Sequence, residues 1–163
     1  MARLICGWDD GNPYSEATSA LHLYAGWAAV NIPHVGRIER FGPCTCIAVV
    51  NGSVPLAVVV YHNSDDQSRA LEMSMAASDP RWATRGTIRA CLHYPFVQLK
   101  CGVVICRVPR NVRRTKRFLS GIGFSNCGTI PHGFGDQDCS IYCLSAETAF
   151  ERWLGPHKMK EAA

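Results

Sequence analysis

The spacing of apolar positions changes several times along the chain, and each change marks an element. Arg3 to Gly7 reads as a short first strand. Asp9-Asp10-Gly11-Asn12-Pro13 is turn chemistry, and Ser15 is placed to cap a helix whose apolar side holds Ala17, Ala20, Leu21, Tyr24 and Ala28. Residues 31–42 contain Pro33, Gly36 and Gly42 and read as a loop. Thr45 to Val50, the Asn51-Gly52 turn and Leu56 to Tyr61 give the clearest hairpin pattern. Its second arm, LAVVVY, is apolar without alternation, which predicts a strand covered on both faces. Asn63 to Arg69 is a polar turn and Leu71 to Ala77 a fourth strand. Trp82 to Leu99 reads as a helix, with Ile88, Leu92 and Phe96 four apart.

A fifth strand, Val103 to Val108, leads into NVRRTKRFLSGIGF, from Asn111 to Phe124. The strand stops at Asn111, whose side chain is free to bond an exposed amide. A short helix follows, carrying Arg113, Arg114, Lys116 and Arg117, with Phe118, Leu119 and Ile122 as its apolar side. Gly123 ends it, as glycine does just past a helix C-terminus, and Phe124 opens the next core strand. Strands near Ser125–Ile130 and Cys139–Leu144 are joined across Gly133-Phe134-Gly135-Asp136, and Ala146 to Leu154 forms a short last helix. No repeat, low-complexity tract or interdomain linker breaks the chain, so residues 1–163 read as a single α/β domain.

Composition narrows the class. With 163 residues, 47% apolar and 18% charged, the chain can bury an ordinary core and is not of disordered type. No segment has the apolar length of a membrane span, and MARLICGWDD has no long apolar stretch before its acidic pair. A cytoplasmic protein is therefore expected. Nine cysteines, an odd number with no CxxC pair and no zinc spacing, argue against a disulfide framework and against a metal site. Small buried thiols in a reducing compartment explain them. Net charge is +4, but Arg107, Arg110, Arg113, Arg114, Lys116 and Arg117 fall within eleven residues. Arg110, Arg113, Arg114 and Arg117 would share a helical face, and Arg81, Arg85 and Arg89 sit on the helix before.

The Asn111 block, with Gly-Phe twelve and thirteen residues on, resembles the second signature of the GNAT superfamily of acyl-CoA N-acyltransferases. Arg81-Trp82-Ala83-Thr84-Arg85-Gly86 resembles that superfamily's Gln/Arg-x-x-Gly-x-Gly/Ala loop, with Thr84 standing where the middle glycine belongs. The line WATRGTIRACLHYPF is similar to the matching helix of ribosomal-protein N-terminal acetyltransferases. Phe124 to Ile130 and Gly135 to Leu144 continue the likeness. The resemblance implies a GNAT fold, a mixed, mostly antiparallel sheet whose parallel fourth and fifth strands splay apart to admit acetyl-CoA. It further implies that Met73 and Met75 lie beside the cofactor and that Arg81, Ala83, Thr84, Arg85, Gly86 and Thr87 surround the pyrophosphate. Asn111, Arg114, Arg117 and Phe118 would complete the cofactor side. Free amides and the dipole make a helix N-terminus suited to such an anion.

Acyl transfer to an amine needs a proton acceptor, a donor for the developing oxyanion and a proton for the departing sulfur. By the resemblance the oxyanion donor is a backbone N–H at a bulge around Met73 to Ala76, and Glu72 is the first choice of base. Relatives often carry Tyr seven residues after the motif Asn; this chain has Phe118 there, which cannot donate a proton. Tyr142 and Ser74 are the substitutes. Direct transfer is expected, with no cysteine nucleophile. The acceptor would be an amine of a small molecule, protein or peptide. The acceptor side holds no recognised motif; Tyr24, Trp27, His34 and Glu39 either line a pocket or pack. Relatives often form homodimers. Two other readings stay open: a nucleic-acid modifier resembling the phage Mom proteins, with the basic cluster meeting nucleic acid or an acidic surface, and a degenerate GNAT fold used for binding only.

Overall fold

The structure, a computed structural model, describes residues 1–156. Its strands are β1 (Ala2–Gly7), β2 (Cys44–Asn51), β3 (Val54–Asp65), β4 (Ala70–Ala77), β5 (Val103–Pro109), β6 (Ser125–Phe134) and β7 (Gln137–Ser145). The helices are α1 (Glu16–Asn31), α2 (Arg85–His93), α3 (Arg113–Ile122) and the short α4 (Ala146–Ala149). One sheet runs β1-β2-β3-β4-β5-β7-β6, antiparallel throughout except between β4 and β5. That parallel pair meets at only three positions, Ala70↔Val103, Leu71↔Val104 and Glu72↔Ile105. Past Glu72 the strands part: Met73–Ala77 stays with β3, and Cys106–Pro109 stays with β7. A slot opens between them.

The apolar run in β3 is covered on both faces because it lies near the middle of the sheet. Ala57, Val59 and Tyr61 join the core beneath α2 and α3, while Val58 and Val60 pack under Leu21, Ala25 and Ala28 of α1. The hairpin turn is centred on Gly52-Ser53 rather than Asn51-Gly52, since Asn51 still pairs with Val54. Gly52 has φ 62° at the first central position, the requirement of a type II′ turn. β3 also runs on to Asp65, so Asn63 to Asp65, expected to be turn, belong to the strand. No helix among the described residues is long and apolar enough to cross a membrane.

The segment expected as one helix from Trp82 to Leu99 is three pieces. Pro80–Trp82 forms a 3₁₀ turn, α2 starts afresh at Arg85, and Tyr94–Gln98 winds as a π-helix. Two local causes account for this. Thr84 takes an extended backbone and accepts the Thr87 amide on its side chain, the geometry of an N-cap. Pro95 has no N–H to offer the Cys91 carbonyl four residues back. The Tyr61 hydroxyl, reaching up from the sheet, donates to that carbonyl instead, at 2.6 Å. Tyr61→Phe would leave this carbonyl unpaired in the core. It is expected to cost about 1–3 kcal/mol in denaturant unfolding with an unchanged slope; a loss below a few tenths would show the bond to be dispensable.

Candidate active site

The residues the sequence pointed to divide between the two faces of the sheet. On the α2/α3 side lie Met73, buried, and Met75 and Ala83, partly buried against the same core. The Thr84 cap occupies the Thr87 amide, and among the described residues neither the Arg85 nor the Gly86 amide bonds a residue outside the helix. The first amides of a helix have no partner within it, so these two donors face the loop. A Cβ built on Gly86 would meet only the Thr84 hydroxyl, at 3.9 Å, so close approach to this backbone is unobstructed. Thr84 thus replaces the expected glycine by organising the turn.

Phe118 is tied to this loop. Its ring sits 5.5 Å from that of Trp82, locking α3 to the 3₁₀ turn ahead of α2. Arg114 and Arg117 project from α3, and Asn111 lies exposed in the loop before it. Several basic residues are otherwise engaged. Arg81, in the 3₁₀ turn and not in α2, pairs with Asp79 at 2.5 Å and through its hydrogen bonds holds that carboxyl down at about 2. Arg85 lies over the Trp153 ring, 5.2 Å from its centre. Arg110 precedes α3 instead of sharing its face and pairs with Asp138 at 3.3 Å.

On the α1 side of the sheet, Glu72 and Ser74 alternate with the buried Leu71 and Met73 of the opposite face. Glu72 pairs with Arg107 of β5 at 3.2 Å, across the point where the strands begin to part. Ser74 Oγ lies 2.9 Å from His62 Nε2 on β3. The His62 ring is packed by Phe41, 5.3 Å away, and its Nδ1 is buried with no hydrogen-bond partner among the described residues. Burial holds the His62 pKa below 6.5; Arg107 lowers it further and Glu72 opposes both. Tyr142 belongs to the core on the other face, opposite Cys106, so it is not brought to Glu72 and Ser74. β4 shows no bulge between Met73 and Ala76; its pairing with β3 is regular from Ala77 to Glu72, and the irregularity falls after His62. The parting from β5, not a bulge, is what withdraws a strand partner from this stretch of backbone.

His62 and the Arg107–Glu72 pair were not singled out from the sequence. The available signal was phase: His62 follows Val58 and Val60 at alternate positions of a strand whose α1 face is otherwise apolar. The 31–42 segment holds a 3₁₀ turn, Ile38–Phe41, and closes over this side, with His34 4.4 Å from Phe134 of the β6–β7 hairpin. Tyr24 is buried and Trp27 partly buried in the α1 core, so both pack; Glu39 and His62 border an open groove of about 1400 Å³. The same groove is lined by Leu4 and Cys6 of β1, by Cys44 and Thr45 at the start of β2, and by Gly86, Arg89, Ala90 and His93, one face of α2.

Cys46, Cys91, Cys101, Cys106 and Cys139 are buried, whereas Cys6 and Cys127 are exposed. Burial raises Cys46 and Cys91 to about 12 and pushes Cys106 higher still. Burial thus disfavours the thiolate that a nucleophile requires.

No protein-family model matches the sequence, and no curated protein sequence does. Solved structures do match in shape. One protein of T. thermophilus, assigned as an acetyltransferase, aligns at TM-score 0.60 and 16% identity over 69% of this chain; the chain spans 64% of that protein's length. Another structure so assigned gives TM-score 0.63 and 15% identity over 82% of this chain and 80% of its own. Mutant forms of the spermidine/spermine N-acetyltransferase SpeG from Vibrio cholerae give TM-score 0.68 and 12% identity over 92% and 99%. At such identities the likeness is one of architecture, and it agrees with the single parallel strand pair and its opening: the chain has the fold of the GNAT-type acetyltransferases.

Proposed function

We propose that this chain is an N-acetyltransferase that moves the acetyl group of acetyl-CoA directly onto a primary amine of a small molecule, protein or peptide. The observation that carries the reading is the parting of β4 and β5 after three pairs, with β4 running on from the parted end into the capped start of α2. Acetyl-CoA as substrate supplies the activated acetyl group. The Arg85 and Gly86 amides would receive its pyrophosphate, aided by the helix dipole, and Arg114 and Arg117 would meet the remaining phosphate charge. Asn111 offers a side-chain amide beside them. Met73 and Met75 provide an apolar wall. Glu72 and Ser74 face the amine, on the side closed by His34 and Phe134.

The charge distribution favours this substrate over a nucleic acid. Arg81, Arg107 and Arg110 are each paired with a carboxylate, which leaves the arginines of α3, at the cofactor side, as the cluster's charge for a phosphate. Calorimetry with acetyl-CoA at two salt concentrations tests the reading. One-site micromolar binding that weakens with salt is expected, and Asn111→Ala should weaken it several-fold without changing the melting temperature. An absence of binding by the folded wild-type chain would overturn the proposal; unchanged affinity in Asn111→Ala would remove that residue from the site.

A further inference from the structure

We infer that Ser74 and His62 form a two-residue proton relay on the acceptor side of the slot, Ser74 meeting the amine and His62 positioned behind it. The inference rests on the acetyltransferase reading and assigns its proton acceptor. Ser74 is the second residue past the last β4–β5 pair, so its side chain stands where the slot opens, on the face toward α1. Among the described residues its hydroxyl has one partner, His62 Nε2 at 2.9 Å. The imidazole is held by Phe41 and makes no other hydrogen bond among the described residues, since Nδ1 is buried and unpartnered there. A buried ring nitrogen left unpaired is costly, and such costs recur where function requires them. Glu72, the alternative acceptor, already has its carboxylate engaged by Arg107 at 3.2 Å.

The groups facing His62 are Glu72 from β4, Arg107 from β5, Cys44 opposite it on β2, and Glu39 across the groove. Burial and Arg107 together outweigh Glu72, so the imidazole is neutral at neutral pH and has a lone pair to offer. As the amine nitrogen bonds the acetyl carbon, the carbon–sulfur bond breaks and the electron pair leaves with sulfur. One N–H proton passes to Ser74 Oγ while the hydroxyl proton passes to Nε2. The imidazolium then returns its proton to Ser74 Oγ as the hydroxyl proton passes to sulfur, leaving an amide, a free thiol and the relay as it began.

The test uses the full chain with acetyl-CoA and the acceptor it acetylates fastest among linear diamines, spermidine and short peptides. His62→Gln keeps a polar partner for Ser74 but cannot titrate. It is expected to lower kcat about a hundredfold, to leave acetyl-CoA affinity in place and to abolish the acid limb of the pH–rate profile. In the wild type that limb lies below pH 6.5, because protonating His62 removes the lone pair. Glu72→Gln should keep the limb and move it to lower pH, since Glu72 raises the His62 pKa. Ser74→Ala should lower kcat as far while the His62 ring, followed by NMR in the free protein, still titrates. Undiminished kcat and an intact acid limb in His62→Gln overturn the relay. A limb lost in Glu72→Gln but kept in His62→Gln overturns it in favour of Glu72. A wild-type chain that neither binds nor uses acetyl-CoA overturns the underlying reading and the relay together.

Discussion

Gly7→Ala is expected to lower the melting temperature by roughly 6–12 °C, the effect of about 3 kcal/mol on a domain of this size. Gly7 is where β1 ends against α1. A Cβ there would lie 2.5 Å from the Leu21 nitrogen, 2.7 Å from the Leu21 Cα and 2.9 Å from the Ala20 carbonyl carbon. These are backbone atoms of a helix held by its own hydrogen bonds, so no side chain can rotate aside. The helix must lift from the sheet, and with it the contacts of Leu21, Ala25 and Ala28 that cover β2 and β3. Gly26→Ala supplies the contrast. Gly26 lies inside α1, nothing stands within 4 Å of its would-be Cβ, and its backbone is ordinary. That substitution is expected to raise stability by about 0.5–1 kcal/mol, through helix propensity alone. Thermal unfolding of both variants checks the pair; a Gly7→Ala protein as stable as the wild type would mean that α1 is free to shift on β1.

What the sequence made legible was local, and what it hid depended on neighbours from elsewhere in the chain. The Asn111–Phe124 block could be read directly because a strand end, a basic helix and a terminating glycine are set by adjacent residues; Gly123 indeed takes φ 123°. Ser15 could be read as a cap for the same reason, and its hydroxyl accepts the Thr18 amide at 3.0 Å. The break before Arg85 was written in the chain too, but Thr84 looked like a defect in a glycine pattern when its hydroxyl was serving as a cap. Pro95 likewise sat inside an apolar repeat that otherwise continued to Leu99. Its effect on the helix became clear only with Tyr61, thirty residues from the Cys91 carbonyl it bonds.

The candidate site divides in the same way. The loop residues and Asn111 are close in sequence to the signatures that reveal them. His62 is not: it stands at the end of an apolar strand and gains its neighbours Ser74 and Glu72 from β4 and Arg107 from β5. Tyr142 shows the converse. A hydroxyl in an expected strand suggested an acid, but strand phase turns it to the face away from Glu72 and Ser74, because Cys106, its partner in register, is a core residue. A single strand's alternation was readable; which of its two faces would meet the slot was decided by pairing across the sheet.

Leu119→Ala is expected to cost about 2–5 kcal/mol and to weaken acetyl-CoA binding without changing its dependence on salt. Leu119 is 1% exposed and, with Ile122, is all that α3 buries fully; Phe118 adds its contact with Trp82. The rest of the helix is polar or basic and turned outward, so its hold on the sheet rests on this short apolar side. The Leu119 carbonyl also receives the amides of Gly123 and Phe124, which set the turn into β6. A cavity at Leu119 therefore loosens the element that carries Arg114 and Arg117, the proposed phosphate contacts, while leaving their charge untouched. Arg117→Ala does the opposite. Its side chain has no part in the core, so stability should stay within about 0.5 kcal/mol of wild type. Binding should then weaken at low salt and become less salt-dependent, because a screened charge has been removed. Denaturant unfolding and calorimetry on the two variants separate the roles. If Leu119→Ala unfolds more easily yet binds acetyl-CoA as the wild type does, α3 is not part of the cofactor side. If Arg117→Ala leaves the salt dependence unchanged, the basic face of α3 serves something other than phosphate.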